Sequence, residues 1–252
     1  MPRILVTNDD GVRSEGIYAL ADALRPLGDV VIVAPHVEAS AIGHALTLRR
    51  PLRLEQLSNA LYEVDGTPTD CVNIALTQLY KEPPDLIASG INKGYNLGDD
   101  VTYSGTVSGA LEGALLGIPS IAVSLERTSG EYDFTAAGEA AALIAGGIFD
   151  RGLPARTFIN INVPPGQPRG MRVTVQARRN HVTTVSERMD PRGRSYYWIE
   201  EGQNNWEPHD QSDYQAVKDG FVSVTPLQPD MTAYDALDVV LELQRSADRS
   251  SA

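Results

Sequence analysis

The sequence predicts an α/β fold, with a mainly parallel sheet that is covered by helices on both faces. Over about the first 160 residues, short β-branched runs alternate with longer segments rich in Ala and Leu, as in strands joined by crossover helices. The strand runs are almost continuously apolar, which is typical of strands buried on both faces. After Pro164 and Pro165 the strand-like runs show polar alternation, so a β-rich extension is predicted there.

The predicted elements begin and end at apolar runs, glycines and prolines. Residues 3–7 (RILVT) predict the first strand, and the helix predicted over 16–27 ends at Gly28. Residues 29–34 (DVVIVA) predict the second strand. After an irregular stretch, the later core elements are helices over 67–80, 106–116 and 134–149 and strands over 85–89, 120–125 and 157–163.

Two parts of the chain are predicted, an α/β catalytic core over 1–164 and a β-rich extension over 165–252. The extension ends in an amphipathic helix predicted from Tyr234 to Gln244, and the tail over 246–252 is expected to be disordered. Because short exposed strands pair with strands of other chains, we expect the extension to join subunits in a homodimer or homotetramer.

The charge balance argues against a protein that binds nucleic-acid polymers. The chain has 33 Asp and Glu against 21 Lys and Arg, a net charge of −12 at pH 7. Binding to a phosphodiester backbone gains affinity from clustered Lys and Arg, and here the basic residues hardly cluster. An acidic protein that acts on an anionic small molecule needs a positive charge at its site, and a divalent cation is the usual source.

Cysteine content and hydropathy predict a protein that is soluble and cytoplasmic, without a membrane span. The single cysteine, Cys71, cannot form an internal disulfide and lies in a predicted helix, where it is expected to pack in the core. No apolar run approaches the roughly 20 residues of a membrane span. The first residues, MPRILVTNDD, lack the features of a signal peptide.

Polar residues follow three of the predicted strands, at the edge where parallel α/β sheets bind ligands. Asn8, Asp9 and Asp10 follow the first strand, and two adjacent carboxylates repel each other unless a cation or a proton relieves them. Asn and Asp also favour helix-capping turns, which is the alternative interpretation. Segments 36–44 and 90–100 add hydroxyl and amide oxygens. Oxygens of this kind with two Asp favour Mg²⁺ or Mn²⁺.

Small hydroxyl residues open the helix predicted after the 90–100 segment. Residues 103–109 read YSGTVSG, and such a helix start lets backbone N–H groups and the positive end of the helix dipole approach an anion. Ser and Thr are also ordinary N-cap residues, so a phosphate site is one of two interpretations.

Several motifs in fixed order resemble the survival protein E (stationary-phase survival protein) family of 5′/3′-nucleotidases. They are ILVTNDDG at 4–11, APHVEAS to ALTL at 34–48, VDGTPTDCV at 64–72, SGINKGYNLGDDVTYSGTVSGALEG at 89–113 and DYQAVKDGFVSVTPL at 213–227. The resemblance implies a Rossmann-like α/β core with a C-terminal extension used in oligomerisation. It also implies divalent-metal-dependent hydrolysis of nucleoside 5′- and 3′-monophosphates, and in some members shortening of polyphosphate.

The resemblance also assigns two sets of residues. The implied ligands of one divalent metal ion are Asp9, Asp10, Ser40 and Asn92, and the two aspartates are the implied catalytic residues. The implied phosphate contacts are Asn96, Ser104, Gly105 and Thr106. One departure is visible, because the family commonly has Gly after the metal-binding serine and this chain has Ala41.

Two chemical routes are compatible with these residues. A bound divalent ion polarises a phosphoryl oxygen and lowers the pKa of a coordinated water. Alternatively, Asp9 attacks phosphorus directly. His44 is interpreted either as a proton donor to the leaving oxygen or as a structural hydrogen-bonding residue.

Three other classes of protein are compared with this hypothesis. A response-regulator receiver needs an acceptor Asp at the end of its third strand, where this chain has Ser89-Gly90-Ile91-Asn92. A dinucleotide-dependent oxidoreductase needs G-x-G-x-x-G after the first strand, and NDDGVRSEG lacks it. A non-enzymatic protein that binds metal or phosphate remains the alternative to the phosphatase.

Overall fold

A computed structural model describes residues 1–126, 130–180, 184–200 and 205–250 of the 252-residue chain. The strands are β1 (Arg3–Thr7), β2 (Asp29–Pro35), β3 (Leu54–Ser58), β4 (Leu61–Val64), β5 (Leu86–Lys93), β6 (Ser120–Leu125), β7 (Phe158–Val163), β8 (Met171–Val173), β9 (Arg179–Asn180), β10 (Thr184–Met189), β11 (Ser195–Glu200), β12 (Asn205–Trp206) and β13 (Val222–Leu227). The α-helices are α1 (Glu15–Leu24), α2 (Pro68–Gln78), α3 (Gly105–Leu115), α4 (Thr135–Arg151), α5 (Asp213–Lys218) and α6 (Leu237–Ser250). Short 3₁₀ helices cover Gly98–Thr102 and Tyr234–Ala236.

The central sheet has nine strands in the order β3-β4-β2-β1-β5-β6-β7-β13-β8. Strands β4, β2, β1, β5, β6 and β7 pair in parallel, whereas β3 pairs antiparallel with β4 and β13 pairs antiparallel with β7. The predicted fold class, a mostly parallel α/β sheet with flanking helices, is confirmed. Because β1 lies between β2 and β5, the segments that follow these three strands emerge side by side at one edge of the sheet.

Alternate side chains of the strands form the two faces of the core. Ile4 and Val6 of β1 pack with α1 and α4 on one face of the sheet, and Leu5 packs with α2 on the other. Side chains of α3 form a further cluster with Ala122 and Phe158. Cys71 is fully buried beside Leu5, as its predicted packing role requires. Burial of these apolar side chains between the sheet and its helices removes them from water, which is the main stabilising contribution to such a sheet.

Local sequence signals fix the starts of α2 and α3. In α2, the Thr67 hydroxyl accepts a hydrogen bond from the Asp70 N–H (3.1 Å), and Asp70 Oδ2 accepts one from the Thr67 N–H (2.9 Å). This reciprocal pair is a capping box, and Pro68 occupies the first helical turn where its missing N–H does no harm. In α3, the Ser104 hydroxyl accepts from the Val107 N–H at 3.0 Å.

Before position 164, the sequence failed to predict strands β3 and β4. The hairpin of β3 and β4 occupies the stretch between the second strand and α2 that was interpreted as irregular. Strand β3, with sequence LEQLS, lies at the sheet edge and is largely exposed, so it carries none of the apolar periodicity by which strands are recognised.

Part of the predicted extension completes the central sheet. Strand β13 inserts between β7 and β8, so residues on both sides of position 164 share one sheet. A separate hairpin, β10 with β11, lies outside this sheet. The division of the chain at 164 and the role of the extension in oligomerisation stay predictions.

The C-terminal helix is longer than the sequence predicted. A 3₁₀ turn at Tyr234–Ala236 leads into α6, which continues to Ser250 rather than ending near Gln244. The helix therefore covers most of the tail that was expected to be disordered, and residues 251–252 lie outside the described part of the chain. Within the described ranges, no helix has the length and apolar character needed to cross a membrane.

Candidate active site

The turn after β1 places two carboxylates at the carboxyl end of the sheet. Asn8 Nδ2 donates a hydrogen bond to the carbonyl oxygen of Gly11 (3.0 Å), which closes the turn around Asp9 and Asp10. The N–H of Ala39 donates to the carbonyl oxygen of Asp9 at 2.8 Å. The segment that follows β2 is thereby attached to the carboxylate turn.

The Asp9 side chain is buried and only 5% exposed. Burial raises the pKa of its carboxyl to about 6, and the neighbouring Asp10 adds to the increase. The Thr106 hydroxyl donates a hydrogen bond to Asp9 Oδ1 and partly offsets this effect. Asp9 is therefore a carboxylate whose charge its surroundings compensate only in part, which is the condition that a bound cation relieves.

Asp10 is the second carboxylate of the turn, and one of its oxygens is buried. Its Oδ2 accepts no hydrogen bond from the residues that the structure describes. Burial raises the pKa of Asp10, and the charge of Glu38 raises it further, whereas the N–H and the charge of Lys93 and the hydroxyl of Ser14 lower it. Because buried polar groups are almost always satisfied, an orphaned carboxylate oxygen beside a second carboxylate indicates a position for a cation.

The other two implied metal ligands follow the neighbouring strands. Asn92 lies near the end of β5, and its Nδ2 donates to the carbonyl oxygen of Gly94 (2.8 Å), which leaves Oδ1 as its available acceptor. Ser40 is exposed, and its hydroxyl donates to Glu38 Oε1 at 2.6 Å. Sheet pairing brings Asp9, Asp10 and Asn92 to one edge of the sheet. Ser40 follows Ala39, whose N–H is bonded to the Asp9 carbonyl oxygen, but the Ser40 hydroxyl is directed at Glu38.

This donor set fits a hard divalent cation. Across the described ranges, no three His, Cys, Asp or Glu side chains come together as a metal site. A cation at Asp9 and Asp10 would therefore have to complete its shell with neutral oxygens, such as those of Ser40, Asn92 and water. Shells of carboxylate and neutral oxygen are those that Mg²⁺ and Mn²⁺ prefer.

The N-terminus of α3 lies directly against Asp9. A side-chain Cβ built on Gly105 would lie 2.7 Å from Asp9 Cβ and 2.8 Å from Asp9 Oδ2, so only glycine allows this approach. With Ser104 as its N-cap and Thr106 bonded to Asp9, the helix directs the N–H groups of its first turn and its positive dipole end at the carboxylates. The structure thus brings Ser104, Gly105 and Thr106 to the predicted metal position.

Asn96 belongs to a buried polar network at the ends of β5, β6 and β7. Its backbone carbonyl accepts from Nδ2 of both Asn160 (2.8 Å) and Asn162 (3.0 Å), and its own Nδ2 donates to the Ser124 hydroxyl (2.8 Å). These contacts hold the loop before α3, and a direct contact of Asn96 with phosphate stays a prediction. Sequence analysis missed Asn160 and Asn162, although two Asn alternating in the apolar strand FININV signal a polar function on one face.

The residue after Ser40 shows why a glycine is common there. Ala41 adopts a left-handed backbone with φ of 54°, which costs about 1–2 kcal/mol for a residue with a Cβ. The Ser40 loop therefore reaches its position in this chain with some backbone strain, and the chain keeps the left-handed turn without the glycine.

Comparison with known proteins decides the family. The family model for survival protein SurE matches residues 4–183. The chain belongs to the SurE family. It is 51% identical over 236 residues to the 5′-nucleotidase SurE of Syntrophotalea carbinolica, covering 93% of this chain and 94% of that one. It is 50% identical over 252 residues to the 5′-nucleotidase SurE of Geobacter sulfurreducens, covering 99% and 96%.

A solved SurE structure has the same fold. The crystal structure of the SurE protein from Aquifex aeolicus superimposes with a TM-score of 0.86 at 42% identity, covering 96% of this chain and 100% of that one. The family that the sequence motifs indicated is thereby confirmed, and the likeness extends over the SurE core and the residues after it.

Proposed function

We propose that this SurE family member is a divalent-metal-dependent phosphatase that hydrolyses nucleoside 5′- and 3′-monophosphates to nucleoside and phosphate. Its expected substrates are free nucleotides of the cytoplasm. Relatives that are about half identical over nearly the whole chain are named 5′-nucleotidase SurE, which supports the activity. The observation that carries the proposal is the contact of Asp9 with Thr106 and Gly105, because it joins a carboxylate pair to an anion-binding helix start.

One Mg²⁺ or Mn²⁺ ion would be held by Asp9, Asp10, Ser40 and Asn92. When bound, such an ion polarises a phosphoryl oxygen and lowers the pKa of a coordinated water. The buried Oδ2 of Asp10 supports this assignment, since it makes no well-formed hydrogen bond within the described part of the chain and burial keeps the pKa of Asp10 raised.

The protein's own residues bind and orient the phosphate. The N–H groups at the start of α3, near Ser104, Gly105 and Thr106, would donate hydrogen bonds to the non-bridging phosphate oxygens, and the positive end of the helix dipole would stabilise their negative charge. Thr106 orients the Asp9 carboxylate through Oδ1, and on the water route the same carboxylate that would hold the ion would also accept a proton from the attacking water. The stereochemical course at an isotopically chiral phosphoryl group distinguishes this route from direct attack by Asp9, because one displacement by water inverts phosphorus whereas two displacements through an aspartyl phosphate retain its configuration.

Phosphate release from AMP, with and without a chelator, tests the proposed activity. We expect release from 5′-AMP and 3′-AMP in Mg²⁺ or Mn²⁺, and loss of release when EDTA removes the ion, with recovery on adding it back. Inorganic polyphosphate in the same assay shows whether the site also shortens phosphate chains. A chain that binds phosphate but releases none from AMP under any of these conditions is a binding protein, and the proposal is then wrong.

We further propose that the residues after 164 join subunits into a homodimer or homotetramer. Helix α6 leaves apolar side chains exposed, including Val240 (58%) and Leu243 (65%), and the hairpin of β10 and β11 exposes Trp198 (56%) and Ile199 (79%). Apolar surface of this kind on a soluble chain favours burial against another copy. Light scattering is expected to give two or four times the 27.2 kDa chain mass, and a monomer at all working concentrations contradicts the proposal.

A further inference from the structure

The loop that carries Ser40 has no regular secondary structure over residues 36–50. It is mostly exposed, and backbone hydrogen bonding of a helix or strand does not fix the position of Ser40. The Ala39 N–H attaches its first part to Asp9. At its far end, Thr47 donates from its N–H (2.9 Å) and its hydroxyl (2.6 Å) to the Asp70 carboxylate of α2.

The middle of this loop is attached to α3 at two points. The N–H of Gly43 donates to the carbonyl oxygen of Tyr103 at 3.0 Å, one residue before the Ser104 cap. The next residue, His44, places its Nε2 2.6 Å from Glu112 Oε2. The loop is therefore fastened both beside the start of α3 and farther along the same helix.

Glu112 is a buried carboxylate on α3 that His44 satisfies. The Glu112 residue is 6% exposed, and its other oxygen, Oε1, accepts from Asn73 Nδ2 of α2 at 2.7 Å. Burial raises the pKa of Glu112, but the hydrogen bonds from His44 and Asn73 outweigh it and leave the pKa below its usual value. Since a carboxylate only accepts hydrogen bonds, His44 Nε2 carries a proton and donates it to this contact.

We propose that His44 and Glu112 form a latch that holds the Ser40 loop in register with the phosphate-binding end of α3. The inference rests on the proposed function, in which Ser40 serves the metal and α3 serves the phosphate. The latch connects these two halves of the site through contacts that lie outside both, so His44 is a positioning residue and not a catalytic one. The His44 side chain is 30% exposed and that of Glu112 only 8%, so opening the contact would leave a mostly buried acceptor without its donor, which favours the closed arrangement.

Three variants separate the latch from a general packing role. His44→Phe keeps a ring and removes the donor, whereas His44→Gln keeps an N–H donor at similar reach. Glu112→Gln removes the charge of the acceptor. His209→Phe changes an exposed histidine of the extension and serves as the matched control.

The first measurement is amide hydrogen exchange in the metal-free chain. We expect His44→Phe to accelerate exchange of the Gly43 N–H, and of the Ala39 N–H beside Ser40, by at least about 10-fold. His44→Gln and His209→Phe are expected to leave both rates near those of the unsubstituted chain. Unchanged protection of Gly43 and Ala39 in His44→Phe overturns the latch, whatever the enzymatic activity.

The second measurement is Mn²⁺ affinity by electron paramagnetic resonance, with kcat/KM for AMP on the same preparations. We expect His44→Phe to weaken both by about 10-fold, the size typical of residues that support metal ligands, and His44→Gln to keep both within about 3-fold. In a double-mutant cycle, the variant with both His44→Phe and Glu112→Gln is expected to lose no more Mn²⁺ affinity and no more kcat/KM than the more damaging of the two single variants. If the unsubstituted chain neither binds Mn²⁺ nor hydrolyses AMP, the proposed function fails. If the unsubstituted chain does both, and His44→Phe has the same Mn²⁺ affinity and kcat/KM, only the proposed latch is wrong.

Discussion

Asp9→Asn is expected to lower phosphate release from AMP by about two to four orders of magnitude while the chain stays folded. The substitution keeps the size of the side chain and an oxygen that accepts the Thr106 hydroxyl. It removes the charge that would hold the cation and the carboxylate oxygen that would accept a proton. Phosphate release at saturating Mg²⁺ and Mn²⁺ measures the loss, and near-normal turnover contradicts the assignment of Asp9.

The same variant is expected to be more stable than the unsubstituted chain when metal is removed at pH 8. The pKa of Asp9 in the folded chain, about 6, lies above its value of 3.8 in the unfolded chain. The folded state therefore holds the Asp9 proton more tightly, so the contribution of Asp9 to stability is greatest below about pH 4 and is lost as pH rises through 6. Asn does not titrate. It therefore avoids the cost of burying an ionised Asp9 above pH 6, which is up to about 3 kcal/mol of unfolding free energy.

Thermal melting in EDTA at pH 4 and pH 8 measures this difference. The increase in melting temperature of Asp9→Asn over the unsubstituted chain is expected to be several degrees larger at pH 8 than at pH 4. Asp150→Asn, on the exposed surface of α4, is the matched control. Its melting temperature is expected to stay close to that of the unsubstituted chain at both pH values. A melting temperature of Asp9→Asn below that of the unsubstituted chain at pH 8 is inconsistent with a buried, uncompensated Asp9.

Gly105→Ala is expected to reduce kcat/KM for AMP by about 100-fold. The new Cβ would lie 2.7 Å from Asp9 Cβ and 2.8 Å from Asp9 Oδ2, closer than real Cβ contacts allow. Either the Asp9 side chain or the start of α3 must move by a substantial fraction of an ångström. Because both groups are proposed to act on the same phosphate, a shift of either one is expected to disrupt their alignment.

A second helical glycine provides the control for Gly105→Ala. Gly146 lies within α4, and a Cβ built there meets no atom within 4 Å. Gly146→Ala is expected to stabilise the chain by about 0.5–1 kcal/mol and to leave AMP hydrolysis unchanged. The account of Gly105 is wrong if Gly105→Ala keeps the activity of Gly146→Ala.

The parallel core and the positions of the two aspartates could be predicted from the sequence. Buried strands such as β1 and β6 are continuous apolar runs, and Asp9 and Asp10 come directly after the first of them. In a parallel sheet this order alone places the aspartates at the ligand-binding edge. The start of α3 could also be predicted, since its Ser cap and small residues are local signals.

The remaining features depend on contacts between distant segments. His44 and Glu112 are 68 residues apart, and no local pattern pairs them. The addition of β13 to the central sheet is likewise a long-range pairing, with β7 on one side and β8 on the other. The direction of the Ser40 hydroxyl depends on Glu38 and on a left-handed Ala41, neither of which a sequence pattern specifies.

Binding of Mn²⁺ to the metal-free chain, measured by electron paramagnetic resonance, tests the central claim most directly. The claim is that Asp9 and Asp10 hold one divalent ion beside the phosphate-binding end of α3. The account predicts one bound Mn²⁺ per chain, loss of that binding in Asp10→Asn, and broadening of the bound signal when phosphate is added. Undiminished Mn²⁺ binding by Asp10→Asn would contradict it.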